Sequence, residues 1–366
     1  MKKIFVCQFF LYLSICNAEI FHTEKQATEN HGFTSTISEN IPTVDSLKFF
    51  AKAVCIYYNV WEEGLDLGSK ASMVKLPNFQ YAQVIDVDGK ILFQSAKYSP
   101  GFKVGLGCKC NEWLIFTEYM RLTTHTNINS TPSGQSFGEP VWTSQNWFQS
   151  LSATGASIAA SHITSDWRLQ LNILDIGIGD RIYKSKRIVA TPFGGIRSMY
   201  ITQKLDISFT ENSHTVTTLP SQPIFSNNSS KAWGVGPLFG IEGSVPLSQG
   251  FRLQGDMIAS LLFTQFTSIK HKENAASAIQ VPAIINSSIK NFNCLRSILE
   301  MGLGLGWNKY FYEQAYCIDF VLKYDFIQLQ QQNMMRKLTD GFINQVTSTA
   351  SDLCIHGVSF NCKLNF

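Results

Sequence analysis

The sequence predicts an all-β protein: a transmembrane, antiparallel, up-and-down β-barrel of about ten strands, with about twelve to sixteen strands as the alternative. Three observations predict this fold. Charged residues are scarce, at 16% of the 366 residues, while aromatic residues reach 13%. Beyond the N-terminal region no apolar run approaches the roughly 18 residues that a membrane helix needs. Segments of about ten residues alternate between apolar and polar side chains, which is the period of a strand.

The composition favours a membrane barrel over a soluble domain. A soluble chain carries about 25% charged residues, so too few charges are present here to cover a surface that faces water. In a barrel, one face of each strand meets lipid and the other faces a polar lumen. Only a closed barrel pairs every strand edge within lipid. The net charge of +3 is too small to indicate a nucleic-acid partner.

The first residues are typical of a secretory signal peptide. Lys2 and Lys3 form a positive region, residues 4–15 form an apolar run, and residues 16–18 form a small-x-small cleavage site. A membrane anchor is the alternative, but the run is too short to span as a helix. A lipoprotein signal at Cys16 is another, although Ile15 stands where such sites want a small residue. The sequence therefore predicts three parts: a signal peptide over 1–18, an N-terminal periplasmic arm over 19–47 and an outer-membrane barrel over 48–366.

Ten segments alternate well enough to be predicted as strands. In the seventh, odd positions from Phe251 to Phe263 are mostly apolar and even positions from Arg252 to Thr264 are mostly polar. Because side chains alternate along a strand, each set lies on one face. The ten segments are 49–61, 101–110, 113–123, 166–178, 196–209, 233–247, 251–267, 295–307, 316–328 and 353–366.

The connections distinguish a barrel from a soluble sandwich, which would alternate in the same way. Shorter links, such as those through Asn111 and Ser248, alternate along the chain with long links rich in Ser, Thr, Asn and Pro. Outer-membrane barrels have short periplasmic turns and long external loops. Extra strands within 79–87 are the main alternative in strand count. The predicted external loops are 62–100, 124–165, 210–232, 268–294 and 329–352.

The last segment ends on an aromatic residue. Val358, Phe360, Leu364 and Phe366 share one parity, and polar residues fill most of the gaps. A terminal aromatic on the lipid-facing parity looks like the signal that the barrel-insertion machinery reads. We therefore expect Phe366 to be the assembly signal.

Short motifs occur along the chain in a specific order: 101–107 followed by Trp113, 167–175, 192–197 with Gln203, 233–237, 260–262, 302–307 and 332–334. Together they resemble a known family, the major outer membrane proteins of Legionella and of Chlamydia-like bacteria. The resemblance covers most of the chain from about residue 50 onward, and it departs from the family where Tyr324 is followed by Asp325 and where Asn365 precedes Phe366. The resemblance implies that the protein is a porin and an abundant structural protein of the envelope. It implies no catalytic residues.

Assigning the polar parity of each strand to the interior gives a set of predicted pore-lining residues. Five are basic and six acidic, so the lumen would be almost neutral. One interpretation is a constriction that selects small solutes by size. The other is a network of ion pairs that fills a narrow barrel, since roughly eight strands leave an interior that side chains can fill. The residues are Arg168, Lys204, Arg252, Arg296, Lys323, Asp206, Glu242, Asp256, Glu300, Asp319 and Asp325.

Several functions fit this barrel. The first hypothesis is a porin that lets small solutes diffuse passively and contributes to envelope structure. The alternative is a closed structural envelope protein that cross-links through cysteines. An outer-membrane enzyme or an adhesin is a weaker hypothesis, because neither Gly-x-Ser-x-Gly nor His-Glu-x-x-His occurs. We expect no cofactor, no metal and no nucleic acid. The expected partners are outer-membrane lipid, the barrel-insertion machinery, and further copies or disulfide-linked envelope proteins.

Seven of the nine cysteines follow the predicted signal peptide. An odd number leaves at least one thiol free or paired between chains. Cys108 and Cys110, next to a predicted short periplasmic turn, are the candidate linkers, because thiols near a turn are accessible. A bond between Cys317 and Cys362 is not expected, since their parities differ and divergent side chains cannot be bridged.

Overall fold

A computed structural model describes the residues from Lys48 onward, with gaps in the connections. The chain divides into two units, Met1–Val44 and Asp45–Phe366, and the described residues all belong to the second. The predicted signal peptide and the predicted arm lie outside the described residues. The described ranges are 48–74, 82–85, 90–110, 113–131, 136–138, 142, 159–180, 183–184, 188–211, 223–275, 284–311, 316–342 and 350–366.

The described residues are almost entirely β-structure. Sixteen strands and one helix follow one another within the described ranges. They are β1 Lys48–Glu62, β2 Asp66–Val74, β3 Ala82–Ile85, β4 Ile91–Phe93, β5 Lys97–Cys110, β6 Trp113–Ser130, β7 Ser136–Gly138, β8 Ala159–Asp180, β9 Tyr183–Lys184, β10 Val189–Glu211, β11 Ile224–Pro246, β12 Phe251–Ala275, β13 Ile284–Ile289, β14 Phe292–Phe311, β15 Tyr316–Asn333, α1 Met334–Phe342 and β16 Ser351–Asn365.

Ten of these strands form a closed antiparallel barrel. Its order is β1, β5, β6, β8, β10, β11, β12, β14, β15 and β16, and β16 pairs back onto β1 from Phe50↔Asn365 to Glu62↔Leu353. The predicted fold class is confirmed, and each of the ten predicted segments forms one barrel strand. Most of the strands are longer than predicted, as where 251–267 becomes Phe251–Ala275. Of the segment 79–87, the described part is β3, which pairs with β2 outside the barrel wall.

The two ends of the barrel differ. Short connections, such as 247–250, lie at the end that also carries both Lys48 and Phe366. Longer connections, which contain β2, β3, β4, β7, β13 and α1, lie at the opposite end, called here the loop end. The predicted alternation of short and long links is therefore present.

The outer surface of the barrel is apolar along its middle. Leu174, Ile176, Leu303 and Leu305 are among the many large side chains exposed there. A column of rings runs across three strands, with centroids of Trp307 and Phe320 6.1 Å apart, and those of Phe320 and Phe360 5.8 Å apart. Such a surface suits lipid rather than water.

Helix α1 begins at a side-chain cap. The Oδ1 atom of Asn333 accepts a hydrogen bond from the backbone N–H of Arg336 at 3.2 Å, which satisfies one free donor of the first turn. The helix places Met334, Met335 and Leu338 among buried side chains. Among the described residues, no helix is long and apolar enough to cross a membrane.

Candidate functional site in the barrel lumen

Charged side chains cross-link the half of the lumen nearer the short turns. The guanidinium of Arg197 on β10 binds Asp175 on β8 through two bonds of 2.7 Å and also contacts Glu300 on β14. The fork of an arginine matches a carboxylate, so this pairing fixes both side chains. Arg197 is 1% exposed and therefore belongs to the packed interior, where a free cation would be costly.

Two further bridges join β12 to β15, its second neighbour along the wall. Arg252 binds Asp319 at 2.7 Å, and Lys323 binds Asp256 at 2.5 Å. Lys323 also lies 3.6 Å from Asp325. Ion pairs between neighbouring strands would only line the wall, whereas these reach over an intervening strand and so fill space inside it.

The same layer includes residues that the alternation alone did not identify. Lys52 on β1 binds Glu118 on β6 at 2.5 Å, and the hydroxyl of Tyr58 donates to Asp325 at 2.6 Å. With Asp175 and Arg197, these residues were missed because their strands carry mostly apolar side chains on the inner parity. A single charged residue within an apolar run of a membrane strand could have identified them as lumen residues.

The predicted lumen residues fall into two groups. Eight lie on the inner parity of their strands, although Glu242 is exposed near the short-turn end. Glu242 accepts a hydrogen bond from Gln254 at 2.8 Å. Arg296 is mostly buried and contacts Gln331 at 3.0 Å. The eight are Glu242, Arg252, Asp256, Arg296, Glu300, Asp319, Lys323 and Asp325.

The other three, Arg168, Lys204 and Asp206, lie on the outer surface, which corrects the expectation that they face the lumen. Arg168 is exposed between the buried Trp167 and Leu169. Toward the loop end the inward side chains of β8 and β10 are mostly apolar and the outward ones are polar, so the polar parity of these strands points outward there. The prediction assumed that polar side chains face the lumen along the whole strand. Where the strand extends beyond the apolar outer surface, polar side chains face outward instead.

The inward glycines make room for the ion pairs. A Cβ atom on Gly302 would lie 2.7 Å from an oxygen of Asp325, and one on Gly306 would lie 2.8 Å from the guanidinium carbon of Arg252. The space beside these glycines is therefore occupied by charged side chains. A cavity of about 160 Å³ remains within the charged layer, lined by Lys103, Glu118 and Asp256 among others.

Toward the loop end the lumen becomes an apolar core. Inward side chains from the barrel wall pack into one cluster, and most of them are at most 3% exposed. A continuous column of water would leave such side chains accessible. The wall contributes Ile56, Val60, Leu122, Leu169, Leu171, Ile201, Leu205, Ala232, Leu262, Ile298, Ile327, Leu329 and Ile355, together with others of the same kind.

Segments from the connections complete this core. Leu67 of β2, Trp142, and Met335 of α1 are each at most 1% exposed within it. The indole N–H of Trp142 donates to the carbonyl of Asp66 at 2.8 Å, and the guanidinium of Arg336 lies 5.4 Å from the centre of the Trp142 ring. We call the apolar core together with these segments the plug.

A buried polar network holds the plug against the wall. His271 on β12 contacts Asn228 at 2.6 Å and Glu273 at 2.5 Å. Asn228 donates to Ser226 at 3.1 Å, and Ser226 donates to the carbonyl of Trp142 at 2.7 Å. A buried network satisfied in this way fixes one arrangement of its members.

The cysteines divide between the two faces. All seven of the described cysteines are unpaired. Cys110 is exposed and Cys108 half-buried at the end of β5, both on the outer parity. Cys317 is buried inside while Cys362 lies on the outer parity, so their side chains diverge as the parity predicted.

Phe366 lies at the seam that closes the barrel. Its N–H donates to the carbonyl of Phe49 at 2.9 Å and its carbonyl accepts from the N–H of Phe49 at 2.8 Å. The two rings stack at 6.4 Å. In the described part of the chain, no group of three His, Cys, Asp or Glu side chains is placed to hold a metal ion.

A sequence comparison identifies relatives of this barrel. The model of a family described as the Legionella pneumophila major outer membrane protein precursor matches residues 73–366. No curated protein matches the chain.

Solved structures of outer-membrane barrels are similar in outline. The outer membrane protease OmpT of Escherichia coli is 10% identical, with a TM-score of 0.39 over 87% of this chain and 96% of that chain. A major outer membrane protein of Thermus thermophilus is 10% identical, with a TM-score of 0.27 over 88% and 100%. A Pseudomonas aeruginosa FadL homologue is 6% identical, with a TM-score of 0.28 over 88% and 90%. TM-scores this low carry no weight for the function of this chain.

Proposed function

This chain belongs to the family of the Legionella pneumophila major outer membrane protein, and on that premise we propose that it is a structural outer-membrane barrel whose lumen is closed at the loop end. The protein is located in the outer membrane, as its family and its closed barrel show. Its short turns would face the periplasm and its loop end the cell exterior, which is the usual orientation of such barrels.

The plug is the observation that carries this proposal. Its side chains come from the barrel wall, β2, Trp142 and α1, and they form one buried cluster across the barrel interior. Burial of apolar area contributes about 25 cal/mol per Å², so opening such a cluster to water is unfavourable. A free-diffusion pore would need the plug to move.

Conductance in planar bilayers tests the closed barrel. Refolded wild-type protein should give no stepwise conductance at moderate voltage. A variant with Met334→Ser, Met335→Ser and Leu338→Ser should weaken the plug and give steps, whereas Lys337→Ser, on the exposed side of α1, should behave as wild type. Steps from wild-type protein of the size expected for an open barrel would contradict the proposal. Folding of each variant is checked by its heat-modifiable mobility on gels.

Passive diffusion of small solutes is the second candidate function. The charged layer with its cavity of about 160 Å³ favours it, because solute could occupy this chamber once the plug has moved. In that case wild-type channels would be rare and brief, and they would become frequent in the variant with the weakened plug.

The remaining roles are proposals of the same kind. Outer-membrane lipid would surround the apolar outer surface, and the barrel-insertion machinery would read Phe366. Assembly into oligomers or disulfide-linked envelope complexes would use the outward thiols of Cys108 and Cys110. We propose no catalytic activity.

A further inference from the structure

The outer surface changes from apolar to basic just beyond an aromatic girdle on one side of the barrel. Tyr200 on β10 and Trp233 on β11 are register partners at the edge of the apolar surface, and the hydroxyl of Tyr119 on β6 donates to Asn172, the register partner of Tyr200 on β8. Toward the loop end from these rings, the next outward side chains are polar. They include Thr202 and Lys231, which again face each other in register.

This polar zone carries an excess of positive charge. Among the side chains that the structure describes, six cations point outward from β6, β8, β10, β11 and β12, against two carboxylates. Arg168 and His125 share Asp166 at 2.8 Å each, and Lys204 binds Asp206 at 2.5 Å. The neighbouring β13 adds no carboxylate. The cations are Arg121, Arg168, Lys204, Lys231, Lys270 and Lys272.

Three of the lysines are exposed and have no carboxylate partner among the described residues. Lys231, Lys270 and Lys272 lie on adjacent strands, and with Lys204 they surround Ser229, which is in register with both Lys204 and Lys270. Neighbouring strands are about 4.8 Å apart, and diagonal positions about 7–8 Å. These ammonium groups can therefore reach a common anion. We call Lys204, Lys231, Lys270 and Lys272 the lysine patch.

The height of the patch matches that of lipid headgroups. Lys231 lies two residues closer to the loop end than Trp233, which is about 7 Å along the strand. The polar headgroup layer on each side of a bilayer is roughly 5–8 Å thick. Aromatic side chains of a barrel lie at the boundary between hydrocarbon and headgroups. The lysine patch therefore begins within the headgroup layer.

The patch is specific to this side and this end of the barrel. On β15, β16 and β1 the outward positions contain no lysine or arginine, and Asp352 is the charged outward residue of these strands near the loop end. A uniform requirement for solubility would not concentrate cations on a few adjacent strands. A localised anionic partner would do so.

We propose that the lysine patch binds the phosphate groups of the phosphorylated glycolipid of the outer leaflet, the lipid A part of lipopolysaccharide. Charge-assisted bonds to phosphate oxygens are strong, and each lysine near an anionic headgroup adds to the affinity. The choice of this lipid rests on the proposed orientation, which places the loop end at the outer leaflet.

Lipid binding by the full-length mature chain tests the proposal. Refolded protein in non-ionic detergent is titrated with purified bisphosphorylated lipid A, and bound lipid is counted by native mass spectrometry. The variant Lys231→Gln, Lys270→Gln and Lys272→Gln should bind at least roughly tenfold more weakly. A control variant with Lys48→Gln, Lys97→Gln and Lys309→Gln, which are also exposed, should bind as wild type does.

Several results would overturn the proposal. One is equal lipid A affinity in the patch variant and the wild type. Another is wild-type affinity for phosphatidylglycerol that equals its affinity for lipid A, since the patch would then not select the glycolipid. If the triple variant fails to fold, the single Lys231→Gln and a salt titration of the wild type replace it, and lipid A affinity that is independent of salt contradicts the proposal. This assay does not depend on orientation or conductance, so its failure is separate from that of the proposed function.

Discussion

Gln203 donates a hydrogen bond from its Nε2 atom to Oε1 of Glu62 over 2.8 Å, and the two residues lie on strands that are four places apart in the ten-strand wall. Both side chains are at most 4% exposed. A direct bond between nearly opposite walls leaves no room for solute between these side chains. This bond is therefore direct evidence that side chains fill the lumen at the loop end.

Replacing Gln203 by Met should destabilise the barrel, because Glu62 would then lose the hydrogen-bond donor that it has in the interior. We expect a loss of about 1–3 kcal/mol in the free energy of unfolding, measured by urea titration in lipid vesicles with tryptophan fluorescence. Gln170→Met, on the outer parity of β8, is the control and should change stability by less than about 0.5 kcal/mol. The double variant with Glu62→Met should recover most of the loss. No recovery would mean that the two residues do not interact.

Replacing Arg197 by Met should be far more damaging than the same change at Arg168. Arg197 neutralises Asp175 and Glu300 in the interior, and removing one partner of a buried ion pair costs about 3–5 kcal/mol. Arg168 pairs with Asp166 on the exposed surface, where an ion pair is worth about 0–1 kcal/mol. Unfolding in urea measures both. Equal losses would contradict the assignment of Arg168 to the outer surface.

Tags inserted in the connections at the loop end should be exposed on intact cells. The predicted loops 124–165 and 210–232 are shorter than expected, since β6 continues to Ser130 and β11 begins at Ile224. An epitope placed between residues 143 and 158, or between 212 and 222, should bind antibody without permeabilisation. A tag between residues 312 and 315 is the periplasmic control. Detection of the first two only after permeabilisation would show that the barrel is oriented the other way.

Deleting Phe366 should block insertion while leaving synthesis intact. The residue contributes two backbone hydrogen bonds and a stacked ring at the seam with Phe49. We expect the deleted form to accumulate as periplasmic aggregates, which fractionation and immunoblotting would detect. Phe366→Tyr, which keeps the aromatic ring, is the control and should reach the outer membrane. Normal outer-membrane levels of the deleted form would exclude Phe366 as the assembly signal.

Covalent cross-linking should depend on Cys108 and Cys110. Both lie on the outer parity beside a short turn, in a compartment that is oxidising if the predicted export occurs. Non-reducing gels of wild-type envelopes should show bands of higher mass that disappear in the variant Cys108→Ser, Cys110→Ser. Cys317→Ser, which changes a buried thiol inside the barrel, should leave the bands in place. Bands that persist without Cys108 and Cys110 would assign the cross-link to other thiols.

The sequence by itself determined a closed barrel of about ten strands and the approximate position of each strand, while about twelve to sixteen strands stayed open as an alternative. Alternation between Leu295 and Trp307, with Arg296, Glu300 and three glycines on the other parity, is a local property of the chain that survives folding. The side-chain period of a strand is two whatever its neighbours are, so parity could be read directly. The alternating lengths of the connections then placed Lys48, at the start of the first barrel strand, and Phe366, after the last barrel strand, on the same side.

Only the tertiary structure decided whether the polar side chains face inward or outward at each position along a strand. On β8 the inner side chains Trp167 and Leu169 are apolar and the outer Arg168 is charged, whereas on β14 the inner Arg296 and Glu300 are charged. The polarity of a side chain matches its surroundings, which are lipid, water or a packed core. Which of these a residue meets depends on its position along the strand and on which connection segments fold into the lumen. The partners of Arg197 and the plug built around Trp142 come from distant parts of the chain, so only the closed barrel brings them together.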